Sequence, residues 1–213
     1  MAARILLIRH ADVENPGKVL YGHLPGFGLS ALGRAQAEAV GLLLRDAGIK
    51  RIVHSPLQRA RETAQIIAVQ LPAKVPMEED NELVESEFSR YLQGVPFWQI
   101  PMRRPLWFVH KARRGTLPGD ESIDVMGGRV LRVARRLARE HPGEVVACVS
   151  HADPLQAAWI LLEGRAHNER EMYRKPVDRA GILSLEIEAD RVTALEYVPP
   201  PKVDKPEAAP RPG

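Results

Sequence analysis

The chain has 213 residues, 45% of them hydrophobic and 27% charged, an ordinary globular mixture with enough length to bury a core unaided. Its one cysteine, Cys148, excludes a disulfide framework and a multi-cysteine zinc site, and no apolar run approaches the ~20 residues of a membrane span. A net charge of +3, acids spread along the chain and only 5% aromatic residues argue against nucleic acid as a partner, and the short apolar stretch before Arg9 is no signal peptide, so a cytoplasmic protein is expected.

In chain order, the apolar run Arg4–Ile8 predicts a short buried strand ending at Arg9 and His10. Gly17, Gly22, Gly26 and Gly28, with Pro16 and Pro25, mark residues 11–29 as a loop. Ser30 precedes Ala31–Asp46, where Leu32, Gln36, Ala39, Val40, Leu43 and Leu44 recur near helical spacing, and Gly48 is the stop signal. Arg51–His54 predicts a second strand. Ser55-Pro56 reads as an N-cap followed by proline at the first helical position, opening a helix to about Gln70. Residues 72–119 differ: proline is frequent, and Arg103, Arg104, His110, Lys111, Arg113 and Arg114 form a basic cluster. This stretch is expected to be a helical and loop insertion over the site, with Trp98, Trp107 and Phe108 as its small core. Glu121–Arg139 predicts a long amphipathic helix stopped by His141-Pro142-Gly143. Glu144–Val149 is an apolar strand ending at Ser150 and His151, with Cys148 inside it, and Asp153–Glu163 is the next helix. Ile182–Ile187 and Val192–Tyr197 alternate as strands around the turn Ala189-Asp190-Arg191, and a proline-rich disordered tail is expected from Pro199. Strands alternating with helices argue an α/β fold, a mostly parallel central sheet covered by helices on both faces, in one domain over residues 1–198.

The strand ends carry the chemistry. In open α/β sheets ligands bind beyond the carboxyl ends of the strands, so Arg9, His10, Arg59 and His151 can converge there. Two arginines and two histidines around one point make an anion site, and arginine forks match phosphate oxygens. Neighbouring cations also keep a buried histidine neutral, with a free lone pair. Such an imidazole is a nucleophile toward a bound phosphoryl group, with the cations stabilising the transition-state charge in place of a metal ion. No metal or cofactor is required by this scheme, but an acid for the leaving oxygen is.

These segments resemble the histidine phosphatase, or phosphoglycerate-mutase-like, superfamily. Leu7-Ile8-Arg9-His10-Ala11 resembles its Arg-His-Gly signature, and Ser55-Pro56-Leu57-Gln58-Arg59-Ala60-Arg61-Glu62-Thr63-Ala64 its second phosphate-arginine signature. Leu29–Ala37 is similar to the helix between them, Leu83-Val84-Glu85 to the acid-bearing segment, Pro118–Ser122 to the Pro-Gly-Gly-Glu-Ser motif, and Val149–Pro154 to the second histidine motif. The resemblance runs from about residue 4 to 198. It implies a phosphohistidine on His10, phosphoryl contacts from Arg9, Arg59, His151, Asn15 and the Ala152 N–H, and Glu85 as the acid, with Glu82 and Glu87 as rivals.

Around that core, Tyr21, His23 and Phe27 either line a substrate rim or anchor their loop, and His54 packs or caps. The cluster Arg103–Arg114 is a solvated face or a contact for an extended polyanion. A metal-independent phosphatase acting on a small phosphorylated substrate is the leading expectation. A phosphoglycerate-mutase-type phosphotransferase and a non-catalytic phosphate- or phosphoprotein-binding module are the alternatives.

Overall fold

The fold is that of a computed structural model in which residues 1–204 are described. Strand β1 (Ala3–Arg9) is flanked by β4 (Val145–Ser150) and β5 (Ile182–Glu188) in a six-stranded sheet. With β2 (Ile49–His54), β3 (Met77–Glu79) and β6 (Arg191–Val198), the order is β3-β2-β4-β1-β5-β6. The first four strands are parallel; β5 runs antiparallel to β1, and β6 antiparallel to β5. This is the expected mostly parallel sheet with helices on both faces.

Strand periodicity explains both layers, since successive side chains point to opposite faces. Ile5 and Leu7 enter the core beneath α6 (Ile123–Glu140) and α7 (Ala152–Leu162), whereas Leu6 and Ile8 enter the one beneath α1 (Ala31–Leu43) and α2 (Gln58–Gln70). Because both faces are covered, these strands read as unbroken apolar runs. Cys148 is fully buried in the first core. Among the described residues no helix is long and apolar enough to cross a membrane.

Local signals set most boundaries. Ser30 Oγ accepts from the Gly33 N–H at 3.0 Å and opens α1, and Ser122 Oγ does the same from Val125 for α6. Gly33 packs so tightly on the Asp12 carbonyl that a Cβ there would lie 2.0 Å from its oxygen. The β5–β6 hairpin turns through Ala189 and Asp190, both at positive φ (46° and 65°), as a type I′ two-residue turn requires.

Other expectations are corrected. Helix α1 ends at Leu43 instead of Asp46. Helix α2 begins at Gln58, with Leu57 as an N-cap that makes no side-chain bond, so Ser55 is not the cap and Pro56 is not the first helical residue. Ser55 Oγ instead meets His151 Nε2 at 2.7 Å. Residues 72–119 do not form one unit. Met77–Glu79 joins the sheet edge, and prolines 96, 101 and 105 divide the later part into the short helices α3 (Ser89–Leu92), α4 (Ile100–Arg103) and α5 (Leu106–Ala112). Their core is Phe88, Leu92, Val95 and Ile100, with Trp107 at its edge; Trp98 and Phe108 are exposed. In α5, Trp107 and His110, three residues apart, face inward, which turns Phe108 outward. A last short helix, α8 (Glu169–Arg174), carries no periodic signal. Residues 199–204 have no regular structure, and the remainder of the expected disordered tail lies outside the described residues.

Candidate active site

Parallel register brings three strand ends together. Arg9 pairs with Ser150, and His54 with Val149, so His10, Ser55 and His151 leave the same edge of the sheet. Backbone bonds from His10 N to Ser150 O and from Ser55 N to Val149 O, each 2.9 Å, extend the ladder one residue further. The His10 and His151 rings lie 5.2 Å apart between centroids at 59°. Arg59, in the first turn of α2, is 1% exposed and donates from Nε to His10 Nε2 at 3.2 Å and from Nη2 to the Gly22 carbonyl at 3.0 Å. Thr63 Oγ1 donates to the Arg59 carbonyl at 2.7 Å and accepts from the Ala11 N–H at 3.1 Å, which ties this turn to the residue after His10.

The His10 tautomer is set from both sides. Nδ1 lies 2.7 Å from the Ala11 carbonyl, an acceptor only, so Nδ1 carries the proton. Nε2 faces Arg59, a donor only, so it presents its lone pair. Burial, then the charges of Arg59 and Arg9, hold the His10 pKa well below the ordinary histidine value; burial, then Arg59, do the same for His151. Two buried nitrogens, Arg9 Nε and His151 Nδ1, have no hydrogen-bond partner among the described residues. Arg9 is otherwise anchored by Nη1 on the Val177 carbonyl at 2.7 Å.

These depressed histidines have a consequence for stability. Their stabilisation of the fold is complete above the unfolded pKa near 6.5 and is lost as pH falls, because the unfolded chain takes up protons first. Each histidine adds a slope of up to about 1.4 kcal/mol per pH unit. Urea unfolding between pH 7 and pH 5 is expected to show a shallower loss in His151→Gln than in the parent, a comparison that cancels the carboxyl contributions. Equal slopes would show that the His151 pKa is the same in the folded and unfolded chains.

The three carboxylates separate cleanly. Glu85 lines a cavity of about 550 Å³ beside Arg9 and Tyr21. Glu82 instead pairs with Arg132 on the surface, and Glu87 with Arg90. Burial, then the charge of Asp153 on the same cavity wall, raises the Glu85 pKa against the pull of Arg59 and Arg9. Although burial pushes the Asp153 carboxyl up, Arg114, 3.0 Å away, holds it below its ordinary range.

Other expected residues divide. Ala152 opens α7, where its N–H has no carbonyl of the same helix to bond. Tyr21 lines the cavity and lies under the Arg59 guanidinium, 4.7 Å from ring centroid to carbon. Phe27 packs against Tyr21, and His23 Nε2 meets the Ser86 carbonyl at 3.2 Å, so both anchor the loop rather than line the cavity. Asn15 is not brought into the group: its amide bonds both the N–H and the carbonyl of Val19 and staples its own loop. His54 is buried, with Nδ1 on the Ser55 carbonyl. Arg103 and Arg113 are exposed, but Lys111 and Arg114 reach the cavity. Ser55, Asp153 and Arg179 join this candidate site although the sequence does not single them out, whereas Arg114 belongs to the basic cluster for which a polyanion contact is one reading. Arg179 reaches the cavity and pairs with Asp12. It sits in a loop with no pattern that could mark it. Ser55 and Asp153 stand inside the signature motifs, the only signal available for them.

Comparisons with known proteins bear on the family and the fold. The model of the histidine phosphatase superfamily (branch 1) matches residues 5–198. The chain is 36% identical over 203 residues to the Mycobacterium tuberculosis (strain ATCC 25618 / H37Rv) protein Rv0525, covering 92% of this chain and 96% of that one. Its fold is similar to that of Bacillus stearothermophilus YhfR, with a TM-score of 0.78 at 20% identity over 90% of this chain and 96% of the other. The mycobacterial glucosyl-3-phosphoglycerate phosphatase Rv2419c superposes with a TM-score of 0.74 at 22% identity, over 91% of this chain and 96% of the other.

Proposed function

The chain belongs to the histidine phosphatase superfamily, and on that premise we propose that it is a metal-independent phosphatase that hydrolyses a small phosphate monoester through a phosphohistidine on His10. The observation that carries this reading is the His10 imidazole, neutral and with its Nε2 lone pair directed at Arg59. Arg9, Arg59, His151 and the Ala152 N–H hold the phosphoryl oxygens. The partnerless Arg9 Nε and His151 Nδ1 are the groups such a ligand would satisfy. Arg59 Nε turns from His10 to a phosphoryl oxygen as substrate enters.

His10 Nε2 attacks phosphorus and the P–O ester bond breaks, while protonated Glu85 gives its proton to the leaving oxygen. Water then attacks the phosphorus. The ionised Glu85 takes a proton from it, the P–N bond breaks, and inorganic phosphate departs. The raised Glu85 pKa suits the first step, and the depressed His10 pKa keeps the nucleophile free. The cations neutralise charge on the equatorial oxygens throughout.

Acid quenching with ³²P-labelled substrate would conflict with isolating an acid-labile species, so the trap is a denaturing alkaline quench in EDTA. It is expected to retain an alkali-stable label on His10. Alkali-stable label recovered on serine, the absence of any alkali-stable label, or labelling that EDTA in the reaction mixture abolishes and Mg²⁺ restores, would sink the mechanism.

A further inference from the structure

The cavity beyond Arg9 has two unlike walls. One is apolar, built by Leu20, Phe88, Leu92, Phe97, Ile100 and Trp107 from the 11–29 loop and the short helices. The other carries charge that is already balanced. Arg114 is 4% exposed and pairs with Asp153 at 3.0 Å and Glu169 at 2.5 Å; Lys111 pairs with Glu169. Arg179 pairs with Asp12, and His110 Nδ1 lies 2.9 Å from Asp120 Oδ1. Outside the phosphoryl end, every cation lining the cavity therefore has its own carboxylate.

A substrate with a second anionic group needs an unpaired cation at a fixed distance from the phosphoryl site. Here it would face Asp153 and Glu85 instead, and would have to displace a partly buried carboxylate from the buried Arg114. Burying a charge without a partner is strongly unfavourable, whereas apolar surface gains from this wall. Resting on the phosphatase reading above, we infer that the alcohol portion of the substrate is uncharged and largely apolar, an aryl or alkyl group seated against Phe97, Ile100 and Trp107. The same charge balance disfavours a phosphoglycerate-type mutase cycle, which must hold a carboxylate while the phosphoryl group moves.

The test compares kcat/KM for phenyl, 1-naphthyl and 4-carboxyphenyl phosphate; the last two have leaving groups of closely similar acidity. The naphthyl ester is expected to exceed the phenyl ester by about tenfold through added apolar contact. The carboxyphenyl ester is expected to fall about 10²-fold below the naphthyl ester. Phe97→Ala, at a side chain 53% exposed, should narrow the naphthyl-to-phenyl ratio to about threefold or less. Glu169→Gln, which releases Lys111 and part of the Arg114 pairing, should raise the carboxyphenyl ester relative to the phenyl ester by about tenfold. A parent enzyme that prefers the carboxyphenyl ester, or treats all three alike, overturns the apolar assignment and leaves the phosphatase reading standing. Hydrolysis of none of these or of any alkyl phosphate overturns both.

Discussion

His10→Ala is expected to lower kcat by about 10⁴-fold or more, because the covalent route disappears with its nucleophile. His151 is not placed to take over: Ser55 Oγ holds its Nε2 at 2.7 Å, its remaining nitrogen, Nδ1, is the one assigned to a phosphoryl oxygen, and burial keeps its ring from moving into the vacated place. Arg59 loses the acceptor for its Nε but keeps the Gly22 carbonyl and the Tyr21 face, so the fold is retained. Circular dichroism and a thermal melt check that retention. Stopped assays on the best ester give the rate, and the alkaline trap on the same variant should yield no label. Residual turnover within tenfold of the parent, in a folded variant, would remove His10 from the nucleophile's role.

Glu85→Gln is expected to separate substrates by their leaving groups. An alkoxide needs a proton as the P–O bond breaks, and general acid catalysis is worth about 10²- to 10⁴-fold there. An aryl oxide leaves as a stabilised anion, so its ester should lose much less, about tenfold or under. The pH profile supplies the second readout. Because burial and Asp153 raise the Glu85 pKa, the parent should lose alkyl phosphatase activity as pH rises through that value. The glutamine variant should lack this limb. Asp153→Asn should move the limb to lower pH, since it removes a charge that raises the Glu85 pKa. Equal losses on alkyl and aryl esters would make Glu85 structural. Glu82→Gln and Glu87→Gln serve as controls: their ion pairs with Arg132 and Arg90 place them outside the cavity, and neither should respond to the leaving group.

Much of the molecule is legible in the chain itself. Arg4–Ile8, Arg51–His54 and Glu144–Val149 are apolar runs cut off by polar residues, and those cut-offs are the strand ends where Arg9, His10 and His151 stand. The Ser30 cap is legible because a helix start needs a side-chain acceptor at a fixed spacing. Ser55 satisfies the same local rule, yet its Oγ accepts only from the Leu57 N–H, at 3.3 Å and ahead of the helix. Its hydroxyl has a better partner, His151, 96 residues away, and nothing within the Ser55-Pro56 segment records that. Met77–Glu79 and Glu169–Arg174 escape a linear reading because three and six residues hold too little of a period to register.

What the sequence by itself determined was the layered α/β fold and the identity of the two arginines and two histidines. Hydrophobic periodicity and strand-end punctuation are local properties, written at spacings a linear reading can count. Tertiary structure alone decided which of Glu82, Glu85 and Glu87 faces the cavity, which nitrogen of His10 holds the proton, and that Asn15 staples its loop instead of joining the site. It also decided that the cations Lys111, Arg114 and Arg179 are each matched by a carboxylate. The physical reason is common to all four. Loop and short-helix residues have no period to fix where their side chains point, so orientation, pKa and charge pairing follow from neighbours brought close only by folding.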